Sequence, residues 1–222
     1  MRGATGGPSV SGVSVSFAPH NRPPSLRDFR PDPAGTRSVG KEATFRWAVA
    51  DPDGDPVQVQ VQFRPADGTG AWQSAARTAA EEDSADEETR DDGRLIWDTS
   101  AVPEGLYQVR GQVSDQLANA EGRGKDASSE PMLLQIDRTP PEVAVERESD
   151  GSWRVRVVDA AAGGGRVEIV EQGVVRFAAA PDDGVADSPQ ESYRLPASTA
   201  EPRVLKVTDG AGNVVERPLS GP

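Results

Sequence analysis

The sequence predicts an all-β fold built as two antiparallel β-sandwiches in tandem. Three observations predict it. Apolar and polar residues alternate over short segments bounded by Gly, Pro, Asp and Asn, and helical periodicity is nearly absent. Two Pro-Pro steps, Pro23-Pro24 and Pro140-Pro141, each stand directly before a strand-like run. Proline lacks the N–H and biases its neighbour to extended structure, so each step reads as the entry to a domain. Finally, the chain has 222 residues, only 5% aromatics and a mean hydropathy of -0.57. Such a chain supports thin cores, and two small β-domains fit it better than one large globule.

The elements follow in order. Residues 1–18 open with a Gly/Pro/Ser-rich segment that has no basic stretch followed by an apolar run. They are expected as a flexible leader and not as a signal peptide. The first domain is expected over 19–137, beginning with a strand at 26–29. Residues 41–50 place Ala43, Phe45, Trp47 and Val49 on one face. Residues 57–63 put Val57, Val59, Val61 and Phe63 inward and three glutamines outward, the signature of a half-buried antiparallel strand. Further strands are expected at 71–77, 94–98, 106–114 and 131–137. Between them, residues 79–92 hold eight carboxylates and one arginine. Without apolar residues, that insertion is read as a solvated charged loop. The second domain, 138–222, carries strand patterns at 142–147, 153–158, 166–170, 174–177, 191–195, 203–209 and 214–217. A weak echo relates the domains: Val109 to Asp115 with Asn119, and Val204 to Asp209 with Asn213, each late in its unit.

The run from Phe45 to Pro56, an alternating strand and then Ala71-Trp72 together resemble the B–C region of bacterial fibronectin type III-like domains. Trp97-Asp98-Thr99, followed by Pro103-Glu104-Gly105-Leu106-Tyr107, is similar to their E–F region. The segment from Ile136 to Pro141 leads into a second, immunoglobulin-like unit with Asp159, the loop 181–188 and the turn 209–213. The resemblance spans roughly 19–217. It implies two tandem Ig/fibronectin type III-like antiparallel β-sandwiches, of the kind found at the C-terminal end of exported bacterial proteins, often behind a β-propeller. It therefore implies an extracellular or cell-surface location within a larger protein. The scaffold itself names no function. The basic residues, 21 Arg against 3 Lys, agree with a GC-rich bacterial genome.

Charge and composition exclude several classes. A net charge of -12 and a pI near 4.6 argue against nucleic acid and anionic membranes. Nothing approaches the length of apolar run that a membrane helix needs. The absence of Cys removes disulfides, thiolate zinc sites and cysteine nucleophiles. The single histidine, His20, lies in an extended linker motif and leaves almost no room for a His-based metal cluster or a triad, which would have to use it. The chain lacks a P-loop, a nucleophile elbow and a zincin motif. A two-carboxylate hydrolase needs a substantial cleft, which two sandwiches of this size seldom provide. The expectation is a non-enzymatic binding, spacer or structural module with a protein or polysaccharide partner at the cell surface. The alternatives are a carbohydrate-binding accessory module of a larger enzyme and a self-assembling surface or virion component. The sequence leaves the oligomeric state open.

Candidate site residues are few. Trp47 and Trp97 are expected as the large plugs between sheets, and Tyr107 as a tyrosine corner. Trp72 and Trp153 are the candidates for stacking on a sugar. Asp51, Asp53 and Asp55 in one turn, and Asp183, Asp187 and Glu191 in a second acidic loop, have the hard oxygen donors that Ca²⁺ takes. For both loops the competing and favoured reading is a turn in which Asp side chains hold backbone amides. Asp209-Gly210-Ala211-Gly212-Asn213 reads as a hairpin turn with a structural role. No other cofactor is expected.

Overall fold

The computed structural model describes residues 12–14, 20–75, 92–161, 165–197 and 203–219. The leader, apart from 12–14, and the acidic insertion through residue 91 lie outside the described residues.

Among the described residues all regular structure is β, in two sandwiches. In the first, β1 (Ser25–Pro31), β3 (Glu42–Ala50) and β6 (Asp92–Asp98) form an antiparallel sheet of order β1-β3-β6. The facing sheet draws on β2 (Ser38–Val39), β4 (Gln58–Pro65), β5 (Gln73–Ser74), β7 (Gly105–Ser114) and β9 (Met132–Ile136). Its order is β2-β9-β7-β4-β5, and β8 (Asp126–Ser128) pairs with β7 off that path. β2 runs parallel to β9, with Ser38 opposite Gln135 and Val39 opposite Ile136.

The alternation in β3 and β4 decides what faces inward. Ala43, Phe45, Trp47 and Val49 are buried, and so are Val57, Val59, Val61 and Phe63. Each of the Val and Phe side chains among them, taken from water into the core, contributes roughly 1.5–3 kcal/mol. Trp97 is fully buried and packs on Phe63 with ring centroids 4.5 Å apart. Phe29 of β1 stacks on Phe45 at 5.3 Å. Two glycines are set by close approach. Gly93 lies opposite Trp47, and a Cβ there would fall 2.2 Å from the indole Nε1. Gly111 of β7 faces β1, where a Cβ would fall 2.4 Å from Leu26 Cδ2 and 2.7 Å from Phe29 Cδ2. The Tyr107 hydroxyl donates to the Pro103 carbonyl at 2.8 Å, closing the corner before β7.

The second sandwich pairs the sheet β10-β11-β14 with the sheet β13-β12-β15-β16. The strands are β10 (Glu142–Arg147), β11 (Trp153–Val158), β12 (Arg166–Glu171), β13 (Val174–Ala179), β14 (Gln190–Leu195), β15 (Arg203–Thr208) and β16 (Val214–Leu219). Its core is smaller, with Val155, Val157, Val167, Ile169, Tyr193, Leu195, Leu205, Val207 and Leu219 buried. Tyr193, fully buried, donates its hydroxyl to the Gly165 carbonyl at 3.0 Å.

Where pattern and structure differ, strand length and edges are the reason. β2 and β8 have two and three residues, too few to show an alternation. Within the described part of 71–77, only Gln73–Ser74 pairs, against Gln62 and Phe63. β13, expected at 174–177, is present as an edge strand and is exposed on both faces up to Ala178.

Candidate functional site

The two sandwiches meet at the linker 137–141, between the end of β9 and the start of β10. Three strands deliver an aspartate to this end of the second sandwich immediately after their last residue. Asp137 follows β9, Asp159 follows β11 and Asp209 follows β15. Each carboxylate folds back on its own chain as an Asx turn, accepting the N–H two residues on. Asp137 Oδ1 takes Thr139 at 3.0 Å, Asp159 Oδ1 takes Ala161 at 2.9 Å and Asp209 Oδ1 takes Ala211 at 2.9 Å. Asp209 Oδ1 also accepts the Asn213 N–H at 2.8 Å.

The three turns converge. One carboxylate oxygen from each aspartate lies within 4.8 Å of the other two. All three residues are buried, Asp137 to 1% exposure, Asp159 to 7% and Asp209 to 6%. Asp209 Oδ2 accepts the Asn213 side-chain amide at 2.8 Å. Asp137 Oδ2 is buried and has no donor. Burial pushes the Asp137 carboxyl above the usual carboxylate range. The Thr139 N–H works against that rise, and the charges of Asp159, Asp209 and Glu104 add to it.

The linker is held from both sides. Arg138 donates through Nη1 to the Thr99 carbonyl at 3.0 Å and through Nη2 to the Val102 carbonyl at 2.9 Å. Glu104 accepts the Arg138 N–H at 3.0 Å and the Thr139 hydroxyl at 2.9 Å. From the second sandwich, Asn213 Nδ2 donates to the carbonyls of Asp137 and Thr139, at 3.1 and 3.4 Å. A cleft of about 640 Å³ also lies between the sandwiches, bordered by Leu106 and Leu133 on one side and Ala160, Asp187 and Pro189 on the other.

The corresponding end of the first sandwich is built on the same plan with one substitution. Asn21 stands ahead of Arg22 and a Pro-Pro step, as Asp137 stands ahead of Arg138 and its own. Asn21 Nδ2 donates to Asp115 Oδ2 and to the Arg123 carbonyl, both at 2.9 Å. Asn119 Nδ2 donates to the Asp115 carbonyl at 3.1 Å and to Asp55 Oδ2 at 2.9 Å. Here an amide supplies donors where the second sandwich has a third carboxylate.

The acidic loops singled out by motif have other partners. Asp51 Oδ1 accepts the N–H groups of Asp53 and Asp55, at 2.8 and 3.1 Å, while its Oδ2 is buried without a donor. Asp53 pairs with Arg22 at 2.7 Å, and that guanidinium holds its carboxyl below the usual range. In the second loop, Asp183 Oδ1 accepts the Val185 N–H at 3.1 Å. Glu191, buried to 4%, accepts the N–H groups of Asp187 and Ser188 at 3.1 and 2.8 Å. Among the described residues, the carboxylates brought together as a group of three are Asp137, Asp159 and Asp209, which the motif reading did not select. The signal was present as three β-runs each closing on Asp. The three residues lie far apart in sequence, and each alone reads as a turn. Asp209 does make the hairpin turn expected of it, and it is also one of the trio.

Trp72 and Trp153 are both half-buried. The guanidinium carbons of Arg64 and Arg110 stand 4.4 and 4.1 Å from the Trp72 ring centroid. Arg147 stands 5.7 Å from that of Trp153. These contacts are cation–π pairs, and a sugar stacking on either ring has to share it with arginine.

No protein-family profile matches the chain. No curated protein matches it either. Among solved structures it is similar to a marsupial T cell receptor chain at 10% identity and a TM-score of 0.33, covering 93% of this chain and 99% of that one. The all-β architecture of two Ig-like sandwiches stands on the sheets and cores described above.

Proposed function

We propose that the chain is a non-enzymatic spacer and binding module of a larger exported bacterial protein, carrying a protein or polysaccharide contact at the cell surface. One observation supports this reading most: the linker is clamped from both sides. Arg138 and Thr139 tie it to Thr99, Val102 and Glu104 of the first sandwich, and Asn213 ties it to the second. A joint that holds its backbone carbonyls and N–H groups in this way sets the direction in which the second unit points. That is the property a stalk or presenting scaffold needs.

The test is the distance distribution between spin labels placed one on each sandwich, at the exposed positions Ser74 and Glu216. The chain has no native Cys, so two introduced cysteines are labelled cleanly. A single narrow distribution is the expected outcome. A distribution as broad as that of two units on a free tether removes the spacer reading.

A further inference from the structure

We propose that Asp137, Asp159 and Asp209 form a Ca²⁺ site at the junction of the two sandwiches. The first ground is convergence. The three carboxylates arrive from three separate strands, and their oxygens gather within 4.8 Å in a buried place. Calcium takes oxygen ligands at 2.3–2.6 Å, so two oxygens on opposite sides of one ion lie about 4.6–5.2 Å apart. A single Ca²⁺ therefore matches the spread of the trio.

The second ground is independent of the clustering. Asp137 is buried to 1% exposure, and its Oδ2 has no hydrogen-bond donor. Buried polar atoms are normally satisfied, and an exception calls for an explanation. Neither Asp137 nor Asp209 pairs with a lysine or arginine among the described residues. The protein therefore gathers buried negative charge and supplies no basic side chain to those two carboxylates. A cation answers both the charge and the orphan oxygen.

The third ground is the internal comparison. At the matching end of the first sandwich, Asn21 stands where Asp137 stands, and its amide donates to Asp115. That end is bridged by a neutral donor from Asn21, although Asn21 Oδ1 and Asp51 Oδ2 there are also buried without a donor. In the second sandwich the amide is replaced by a carboxylate, which repels where the other attracts. The replacement makes sense once an ion occupies the centre.

The donor set selects the class of ion. It is all oxygen, with no Cys in the chain and its one histidine, His20, exposed. That excludes the sulfur and nitrogen sites of zinc and copper. Calcium accepts six to eight oxygens in irregular arrangements, whereas magnesium demands a near-ideal octahedron and retains its waters. Carboxylates fixed by three independent Asx turns fit the former. This site extends beyond the spacer reading: it is read out by metal binding, and it stands or falls whatever the inter-label distances show.

The experiment uses the full chain stripped with EDTA and titrated with CaCl₂, followed by calorimetry and by thermal melts, with MgCl₂ in parallel. The expected result is saturable Ca²⁺ binding that raises the melting temperature by several degrees, with magnesium at least tenfold weaker. Asp137→Asn and Asp159→Asn each keep an oxygen to accept the turn N–H, so the fold is retained, and a melt in EDTA verifies it. Each is expected to weaken calcium at least tenfold, while Asp32→Asn, in an exposed ion pair elsewhere, leaves the affinity unchanged. Absence of any saturable heat and of any shift at millimolar calcium in the unsubstituted chain overturns the proposal. So does calcium binding that survives in both junction variants but is lost in Asp51→Asn or Asp183→Asn, which assigns the ion to the acidic loops.

Discussion

The side-chain amide of Asn213 donates across the domain boundary to the main-chain carbonyl of Asp137, 3.1 Å away. The same nitrogen holds Asp209 Oδ2 at 2.8 Å, so one residue links the linker backbone to the hairpin turn of the second sandwich. Arg138 makes the opposing attachment to Thr99 and Val102. Replacing Arg138 with Ala removes those two bonds and keeps the Glu104 contacts to the residue 138 N–H and the Thr139 hydroxyl, leaving both cores untouched. The expected outcome is a broadened distribution between spin labels at Ser74 and Glu216, with the melting temperature of the second sandwich unchanged. An unchanged width shows that Arg138 does not hold the joint.

Tyr107→Phe removes the bond to the Pro103 carbonyl and keeps the ring, which packs edge-on to Phe63 at 5.8 Å. A net hydrogen bond is worth about 1 kcal/mol. Denaturant titration of the variant is expected to show a loss of that size for the first sandwich, with no change in the slope. A neutral substitution means the corner is held by packing alone.

Gly111→Ala tests the close approach of β7 to β1. A Cβ at 2.4 Å from Leu26 Cδ2 and 2.7 Å from Phe29 Cδ2 forces both side chains to shift. Overpacking of this kind costs about 1–3 kcal/mol, read as a lower unfolding midpoint. Adding Leu26→Ala to the variant makes room and is expected to recover part of the loss. Failure to recover locates the strain elsewhere.

The exposed pair of Asp32 and Arg46, 2.6 Å apart, gives a pH dependence with a definite sign. The hydrogen bond from Arg46 holds the Asp32 carboxyl below the usual carboxylate range. A carboxylate whose folded-state pKa is depressed contributes stability above its unfolded value, near 4, and loses it as pH falls through the folded value. The melting temperature of Asp32→Asn is therefore expected to lie slightly below that of the unsubstituted chain at neutral pH. The two curves are expected to converge as pH falls below about 4. Curves that stay parallel remove the pair as a source of stability.

Strands with four or more alternating positions were legible because burial follows period two, as Phe45, Trp47, Val59, Val61 and Phe63 show. Trp97 and Tyr107 were legible for a related reason: a large ring in a thin core has few places to go. β2 and β8 were not, since pairing over two or three residues leaves no pattern in composition. The junction trio was hidden for a different reason. Asp137, Asp159 and Asp209 are separated by strands whose return to one end of the sandwich is set by topology, and no local motif encodes it. Spacing within one turn marks Asp51, Asp53 and Asp55 in the sequence, and there backbone amides, Arg22 and Asn119 are the partners.

The parallel pairing of β2 with β9 bears on how the first sandwich carries mechanical load. Ser38 and Val39 lie early in that unit, and Gln135 and Ile136 lie at its exit. When the chain is drawn out from its two ends, parallel neighbours slide lengthwise past one another, and their bonds resist together instead of opening one after another. The second sandwich has no parallel pair of this kind among the described residues, because its first strand β10 bonds to β11 and its last, β16, to β15, both antiparallel. Under tension the two units are therefore unequal links, and the second is the one expected to yield first.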